Sequence, residues 1–139
     1  MSDINKKQDQ IIDEFSLFED WMSKYEYIID LGKKLEPMPA ELKTPETLVT
    51  GCQSQAWITA EVKDGKIYYK ADGDAVISKG LLYLLLSIVN GEKPEDVAQA
   101  DFYFIEKIGL DQNLSPSRSN GLSSMIQRIK DLAEQLKNK

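Results

Sequence analysis

Residues 55–72, QAWITAEVKDGKIYYKAD, carry the pattern that decides the fold of this 139-residue chain. Two runs rich in β-branched and aromatic residues flank Asp64-Gly65, a two-residue signal for a tight β-hairpin. With Lys63 placed opposite Lys66, cross-strand partners share one face of the hairpin. The residues of that face are Ile58, Ala60, Val62, Ile67, Tyr69 and Ala71. The sequence therefore predicts an antiparallel hairpin with one dry face and one wetter face.

The segment before the hairpin contains the only cysteine of the chain. Residues 48–50, LVT, have the composition of a short strand, and Gly51-Cys52-Gln53-Ser54 follows as a turn. We therefore expect a sheet of about three strands, with Cys52 at the tip of its first hairpin. A lone cysteine is most often a small buried hydrophobe. Here its neighbours are glycine and glutamine and its predicted position is a loop, where functional residues concentrate.

Apolar residues near the N-terminus recur at the spacing of an amphipathic helix. They are Phe15, Phe18, Met22, Tyr25 and Ile29. Ser16 with Glu19, and Ser23 with Glu26, each match a capping box, so the helix is expected to break into two. Gly32 is the expected stop of the second helix.

Two long helices are predicted after the hairpin. Residues 75–91, AVISKGLLYLLLSIVNG, are apolar nearly all round, which indicates a buried helix with Asp74 as its N-cap. Ser115 caps the last helix, and Pro116 takes its first position. The apolar stripe of this last helix is Leu122, Met125, Ile126, Ile129, Leu132 and Leu136. Short helical segments are expected between the two, the first opening at Pro94.

The order of these elements decides the fold class. Helices, a small antiparallel sheet and further helices give an α+β fold with helices packed on the dry face of the sheet. The length of 139 residues and a hydrophobic content of 42% suit one core. We expect a single domain over residues 1–139.

Charge and missing residue types exclude several function classes. A net charge of −6 repels nucleic-acid phosphates and anionic membranes, so we expect neither as a partner. No apolar run reaches the roughly 20 residues that span a bilayer, and no signal peptide is visible, so we expect a cytoplasmic protein. The absence of histidine removes Cys-His nucleophile pairs and most zinc sites. Neither acid pairs at metal spacing nor a phosphate-binding glycine motif occurs, so we expect no metal and no nucleotide.

A thiol without a histidine partner can still do chemistry. It can attack an already activated sulfur, because sulfur exchange needs a thiolate but no general base to protonate an amine. The product is a persulfide, one of the reversible cysteine caps. The residues favour carrier chemistry over hydrolysis, while a packed, inert Cys52 stays open as the alternative.

Four segments resemble the SufE family of sulfur acceptors. GCQSQAW at 51–57 resembles the family's GCQSQ-small-W signature. DGDAVISKGLL at 72–82 and LSPSRSNGL at 114–122 resemble two further family segments, in the expected order. YIIDLGKKL at 27–35 resembles a fourth, so the likeness runs from about residue 11 to about residue 136. The departures are Gly73, Ser115 and Asn120 where serine, threonine and glutamine are frequent, and none touches the cysteine.

The resemblance implies a fold and a role. It implies the fold of the iron–sulfur scaffold proteins (SufE/IscU-like) without their metal-binding cysteines. It also implies a partner, a pyridoxal-phosphate cysteine desulfurase (SufS-like), whose turnover the protein speeds. The pyridoxal phosphate belongs to that partner, so this chain needs no cofactor. By resemblance Cys52 accepts the sulfur and hands it to an iron–sulfur assembly complex (SufBCD-like).

The resemblance also assigns roles around the cysteine. It implies that the loop tucks the Cys52 thiol into an apolar pocket, where burial would raise its pKa until the partner docks. Arg118, in the first turn of a helix where the dipole disfavours a cation, is expected near this loop, attracting a thiolate or contacting the desulfurase. The remaining candidates for holding the loop or binding the partner are Gly51, Gln53, Ser54, Gln55 and Asp74. Asp72 is interpreted only as a charge at a strand end.

Two alternatives stay open. The protein could be a pure interaction module that regulates a desulfurase by binding, with Cys52 merely packed. It could also be a paralogue (CsdE-like) that feeds another sulfur pathway, such as tRNA thiolation or cofactor synthesis.

Overall fold

A computed structural model describes residues 3–51 and 54–138, and it confirms the α+β class. A two-stranded antiparallel sheet lies in the middle of the chain order, between two helices before it and five after it among the described residues. The helices are α1 (Ile4–Phe15), α2 (Trp21–Gly32), α3 (Val76–Val89), α4 (Pro94–Ala98), α5 (Phe104–Lys107), α6 (Leu110–Asn113) and α7 (Pro116–Leu136). The strands are β1 (Ala56–Lys63) and β2 (Lys66–Gly73), and a single 3₁₀ turn spans Ala40–Leu42.

The hairpin register is the predicted one. Lys63 pairs with Lys66 and Ile58 with Ala71, so the expected residues share a face. Asp64 and Gly65 adopt φ angles of 55° and 78°, the left-handed conformation that a type I′ turn requires at both central positions. Ile58, Ile67, Tyr69 and Ala71 are all buried on the dry face. The turn chemistry and the alternation of apolar residues therefore specify the same hairpin.

The expected third strand is wrong for the described residues. Leu48 forms only an isolated bridge to Trp57. Two backbone hydrogen bonds of 2.8 Å hold this arm, from Val49 N–H to the Ala56 carbonyl and from Ile58 N–H to the Thr47 carbonyl. The arm is antiparallel to β1 but too short to continue the ladder.

The break between α1 and α2 is confirmed, but both predicted caps are wrong. The α2 helix begins after Asp20, whose carboxylate accepts a 2.7 Å hydrogen bond from Ser23 N–H. Asp20 is the N-cap because its backbone is extended and it directly precedes the helix. Its carboxylate therefore reaches the free N–H groups of the first turn. The predicted stop at Gly32 is confirmed. The α1 helix starts as early as Ile4.

The buried helix α3 is confirmed, and α2 crosses it in close contact. A Cβ built on Gly80 would collide with the carbonyl of Ile28, so only glycine allows this approach. The end of α3 at Asn90 is confirmed. The predicted N-cap Asp74 is wrong, since Ala75 takes the N-cap position without a side-chain bond and Asp74 lies exposed outside the helix.

The last helix, α7, closes the core over the dry face of the sheet. Ser115 caps it as predicted, accepting from Arg118 N–H, and Pro116 takes its first position. Leu122, Met125 and Ile129 of the predicted stripe are buried, and the other stripe members pack against the core. The Tyr69 hydroxyl donates a 2.7 Å hydrogen bond to the Ile129 carbonyl. Burial raises the pKa of this tyrosine, so the hydroxyl keeps its proton and this bond even above its usual pKa of about 10.

None of the helices in the described part of the chain is long and apolar enough to cross a membrane.

Candidate functional site

The candidate site is the turn that joins the short arm at residues 47–49 to β1. Cys52 and Gln53 lie outside the described residues, so the predictions of Cys52 burial and of its pocket remain predictions. The structure describes the residues on either side, Gly51 and Ser54, and shows which helices they contact. Each of them contacts a different helix.

The first half of the turn approaches α7 closely at Gly51. The φ angle of this residue, 90°, lies in the left-handed region that favours glycine. A Cβ built on it would lie 2.5 Å from Ser124 Oγ, which is closer than any unstrained contact. The positive φ therefore favours glycine before the cysteine, and any larger residue there would also require the Ser124 hydroxyl to rotate away.

The second half of the turn is fastened to the start of α3. Ser54 Oγ lies 3.4 Å from Ser78 Oγ, within hydrogen-bond distance. The Gln55 carbonyl accepts a 3.1 Å hydrogen bond from Asp74 N–H. This contact places Asp74 beside the site as a loop residue rather than a helix cap. The side chains of Gln55 and Asp74 are both exposed.

A cavity of about 160 Å³ opens beside Ser54, between the first turns of α3 and α7. Its apolar wall consists of Ile77, Leu81 and Met125, all of them buried. Its polar lining includes Ser54, Ser78 and Arg118. An apolar wall with a single cation suits a small, polarizable anion such as a thiolate better than a hydrophilic ligand.

Arg118 lines the same cavity as Ser54, so the structure brings these two predicted residues together. Its Nη1 donates a 2.9 Å hydrogen bond to Tyr25 Oη, and its guanidinium lies 5.8 Å from the centre of the Tyr25 ring. The ring and the hydroxyl restrain an otherwise exposed side chain. Tyr25 was visible in the sequence only as part of an apolar stripe.

Asp72 is a buried acid, and its interpretation as a simple strand-end charge is wrong. Its carboxylate accepts hydrogen bonds from Met38 N–H at 3.1 Å and Gly73 N–H at 2.8 Å, and it pairs with Lys43 at 3.2 Å. Burial alone would raise the pKa of Asp72, but these donors outweigh it and hold the pKa below the usual value. Lys43 in turn lies 5.0 Å from the Trp57 ring centre. This cluster fixes the segment that leads into the cysteine turn.

Three of these contacts left little trace in the sequence. Ser78 and Ser124 are small polar residues on helices, a composition shared by many surface positions. Asp72 stands at the end of an alternating strand, where a polar residue is common and does not by itself indicate burial. Only the fold reveals that Met38, far along the chain, brings its N–H to this carboxylate.

A metal centre has no support in the part of the chain that the structure describes. No group of three or more aspartate, glutamate, cysteine or histidine side chains comes together there.

Comparison with known proteins agrees with this fold. The family model SufE, described as an Fe-S metabolism associated domain, matches residues 9–133. An uncharacterized SufE-like protein of Rhizobium meliloti is 41% identical over 131 residues, covering 91% of this chain and 94% of that protein. A SufE-like protein of Synechocystis is 40% identical over 124 residues, covering 89% of this chain and 78% of that protein.

A solved structure extends the comparison to the backbone. The solution structure of a hypothetical protein from Thermus thermophilus superposes with a TM-score of 0.79, covering 96% of this chain and 97% of that one. At 22% identity this likeness speaks for the fold alone. The family match and the relatives decide the assignment: the chain belongs to the SufE family, which gives it a role in iron–sulfur metabolism and sulfur transfer.

Proposed function

We propose that this protein accepts sulfur from a pyridoxal-phosphate cysteine desulfurase as a persulfide on Cys52. It thereby speeds the desulfurase and relays the sulfur to an iron–sulfur assembly complex. The observation that carries the proposal is the apolar cavity lined by Arg118, which opens beside the turn that holds the only thiol of the chain.

The transfer step balances without an external oxidant. The Cys52 thiolate attacks the outer sulfur of a Cys–S–SH group on the desulfurase. A new S–S bond forms to Cys52 while the old S–S bond breaks, and the desulfurase cysteine leaves as a thiolate. Cys52 then carries the S–SH group, and the sulfane sulfur has moved without net oxidation or reduction.

Arg118 supplies the electrostatic part of this step. A positive charge near the turn favours the thiolate over the thiol and stabilises the anionic persulfide after transfer. Tyr25 holds the guanidinium by one hydrogen bond and its ring face. The restraint reduces the side-chain entropy that Arg118 would lose on each encounter. We regard Tyr25 as a positioning residue for Arg118.

The exposed start of α3 supports a docking role for the same end of the molecule. Val76 is 63% exposed although it is apolar, and Asp74 beside it is exposed and charged. An apolar side chain next to a charge, both adjacent to the reactive turn, suits a partner surface with an apolar centre and a polar rim. A desulfurase covering this surface would bring its own cysteine to the turn.

The decisive experiment is intact-mass spectrometry of the protein after incubation with a cysteine desulfurase and free cysteine, without reductant. We expect a gain of about 32 Da, lost on reduction and absent in Cys52→Ser. No added mass under conditions of proven desulfurase activity would overturn the proposal. If Cys52→Ser still stimulated the desulfurase fully, the protein would be an interaction module instead.

The arginine has its own test. Arg118→Ala should slow sulfur uptake about tenfold while the unfolding midpoint stays unchanged, and Arg118→Lys should restore part of the rate. Lys107→Ala removes an exposed cation from another helix and serves as the control. Equal rates in all three variants would remove Arg118 from the mechanism.

A further inference from the structure

A hydrogen bond from Arg128 joins helix α7 to the short arm that precedes the cysteine turn. The Arg128 Nη2 donates to the carbonyl of Glu46, the residue directly before the arm. One turn earlier in the helix, Ser124 meets Gly51, which lies just beyond the arm. Because residues four apart share one face of a helix, Arg128 and Ser124 both face the segment that leads to Cys52.

A cavity of about 350 Å³ lies between the arm and the helix. Leu48, Val49 and Thr50 line it from the side of the arm, and Ser124 and Arg128 line it from α7. The arm is therefore not packed tightly against α7 along this length, and close packing alone does not fix the distance between them. The two backbone hydrogen bonds to β1 hold one edge of the arm, and the hydrogen bond of Arg128 holds its other side.

The residues around Glu46 form a turn that is closed by its own hydrogen bonds. The Thr44 carbonyl accepts hydrogen bonds from Thr47 N–H and Leu48 N–H, both of 3.1 Å. The Thr47 hydroxyl donates a 2.6 Å hydrogen bond to the Leu42 carbonyl. Since these bonds enclose Glu46, a contact that fixes its carbonyl also fixes the start of the arm, and the cysteine turn follows directly after the arm.

Arg128 has no acidic partner among the described residues. None of the carboxylates in residues 3–51 and 54–138 forms an ion pair with it. Asp131, which lines the same cavity, accepts a 2.8 Å hydrogen bond from Gln127 instead. The Arg128 Nε is buried and has no hydrogen-bond partner in that part of the chain. A buried donor without an acceptor lowers stability, so the stability of the fold does not account for this arginine, whereas its contact with Glu46 does.

We propose that Arg128 is a positioning residue for sulfur transfer, which fixes the arm through the Glu46 carbonyl and thereby fixes the turn that carries Cys52. The inference rests on the proposed function, because it concerns the geometry from which the Cys52 thiolate attacks. The two sulfur atoms must meet within a narrow range of distance and direction, so a small displacement of the turn slows the step. Arg128 acts through the backbone, whereas Arg118 acts through its charge.

The first measurement is amide hydrogen exchange in Arg128→Met, a variant that keeps the apolar stem of the side chain and removes its donors. We expect exchange at Val49 N–H to become about tenfold faster, because the arm opens locally when the Glu46 carbonyl is released. Ile67 N–H, which bonds to the Glu92 carbonyl at the far edge of the sheet, should exchange as in the wild type. The midpoint of urea unfolding should stay unchanged.

The second measurement is the reactivity of Cys52. Without a desulfurase, iodoacetamide should alkylate Cys52 of Arg128→Met about threefold faster, because a released turn exposes the thiol more often, and the pH midpoint of the reaction should not move. With the desulfurase, the maximal rate of sulfur uptake should fall about fivefold at an unchanged KM for this protein, because the turn is misplaced while docking is intact. Arg128→Lys, which can still donate to the Glu46 carbonyl, should restore part of the wild-type behaviour in both assays.

Lys130→Ala is the matched control, because Lys130 lies on the same helix and donates a 3.1 Å hydrogen bond to the Ala100 carbonyl, between α4 and α5. Equal changes in the control would mean a general loosening of α7 and would overturn the proposal. Slower alkylation with a higher pH midpoint would also overturn it, since Arg128 would then act on the thiolate by its charge. So would unchanged exchange and alkylation in Arg128→Met. A wild-type protein that takes up no sulfur would refute the proposed function instead, while faster exchange and alkylation in Arg128→Met would still support the placement of the turn.

Discussion

Two buried carboxylates flank β2, and they hold different kinds of structure. Asp72 lies near one end of the strand and Glu92 beside the other, and each side chain is 8% exposed and paired with a lysine. Glu92 receives Lys7 at 2.7 Å and Asp3 N–H at 3.1 Å, which fastens helix α1. Asp72 receives Lys43 and Met38 N–H, which fastens an irregular segment leading to the cysteine turn.

The comparison shows that a buried carboxylate paired with a lysine can have two different roles. At Glu92 the ion pair joins one regular element to the core, so its loss weakens the whole fold. At Asp72 it shapes a segment whose own packing is sparse, so its loss changes where the cysteine turn lies. We expect the first site to govern stability and the second to govern activity.

The largest effect is expected at Glu92. Glu92→Ala removes the carboxylate that meets Lys7, leaves that ammonium only the Ile88 and Asn90 carbonyls as acceptors, and frees Asp3 N–H, which should lower the free energy of unfolding by about 2 kcal/mol. Urea denaturation measures the loss. Glu95→Ala removes an exposed acid three residues away and should change stability by less than about 0.5 kcal/mol. Equal losses in the two variants would mean that the buried pair does not fasten α1.

Next comes Asp72→Asn, which keeps an acceptor but removes the charge that meets Lys43. We expect a stability loss of about 1 kcal/mol and a fall of at least about threefold in sulfur uptake, because the segment before the turn shifts. Asp64→Asn, in the β-turn where asparagine accepts positive φ, is the matched control and should change neither quantity. If Asp72→Asn lost stability but kept the full rate of sulfur uptake, Asp72 would govern stability as Glu92 does, and the proposed difference between the two carboxylates would be wrong.

The pH dependence sharpens the same contrast. The pKa of Asp72 is lowered in the folded state, so its contribution to stability is complete above about pH 4, near its unfolded value. The contribution is lost as the pH falls through the folded-state pKa. The gap in unfolding free energy between the wild type and Asp72→Asn should therefore narrow below about pH 4. A gap that stayed constant down to about pH 2 would contradict this origin.

The smallest effect is expected at Lys43, which is partly exposed. Lys43→Gln loses the pair with Asp72 and the contact with the Trp57 ring, which should cost about 0.5 kcal/mol. In a Trp21→Phe background the fluorescence of Trp57 reports the change directly. Lys107→Gln, an exposed lysine on α5, should leave the emission of Trp57 unchanged. If the emission maximum of Trp57 were the same with and without Lys43→Gln, the Lys43 ammonium would not contact the ring.

The elements predicted correctly are those whose signal is local. The hairpin register follows from Asp64-Gly65 and alternation, and the start of α7 follows from Ser115-Pro116. The failures involve competition or distance. Asp20 outcompetes the serines as a cap of α2, and Ala75 replaces Asp74 at the start of α3. At α2 several polar side chains satisfy the same statistical pattern, whereas at α3 Asp74 N–H bonds to the Gln55 carbonyl and the helix begins without a side-chain cap.

The sequence predicted that the candidate site lies in a turn, but it did not predict which residues surround that turn. Gly51 and Ser54 were named from the motif, but their contacts with Ser124 and Ser78 join elements far apart in the chain. The sequence also did not predict that α1 begins at Ile4, for a related reason. Its inner face includes Gln8, a polar residue that is fully buried because it bonds to the Asp101 carbonyl and to Phe104 N–H. Such bonds are invisible until the fold is known.

The contact of Gly80 with Ile28 has a consequence for how this sequence can vary. A library randomised at position 80 and selected for folded protein should return glycine alone, since even the methyl of alanine meets a backbone carbonyl that no side-chain rearrangement can move. Helix α2 carries Tyr25, which restrains Arg118. The hydrogen atom at position 80 therefore sets the spacing of two helices and, through them, the place of a charge on a third.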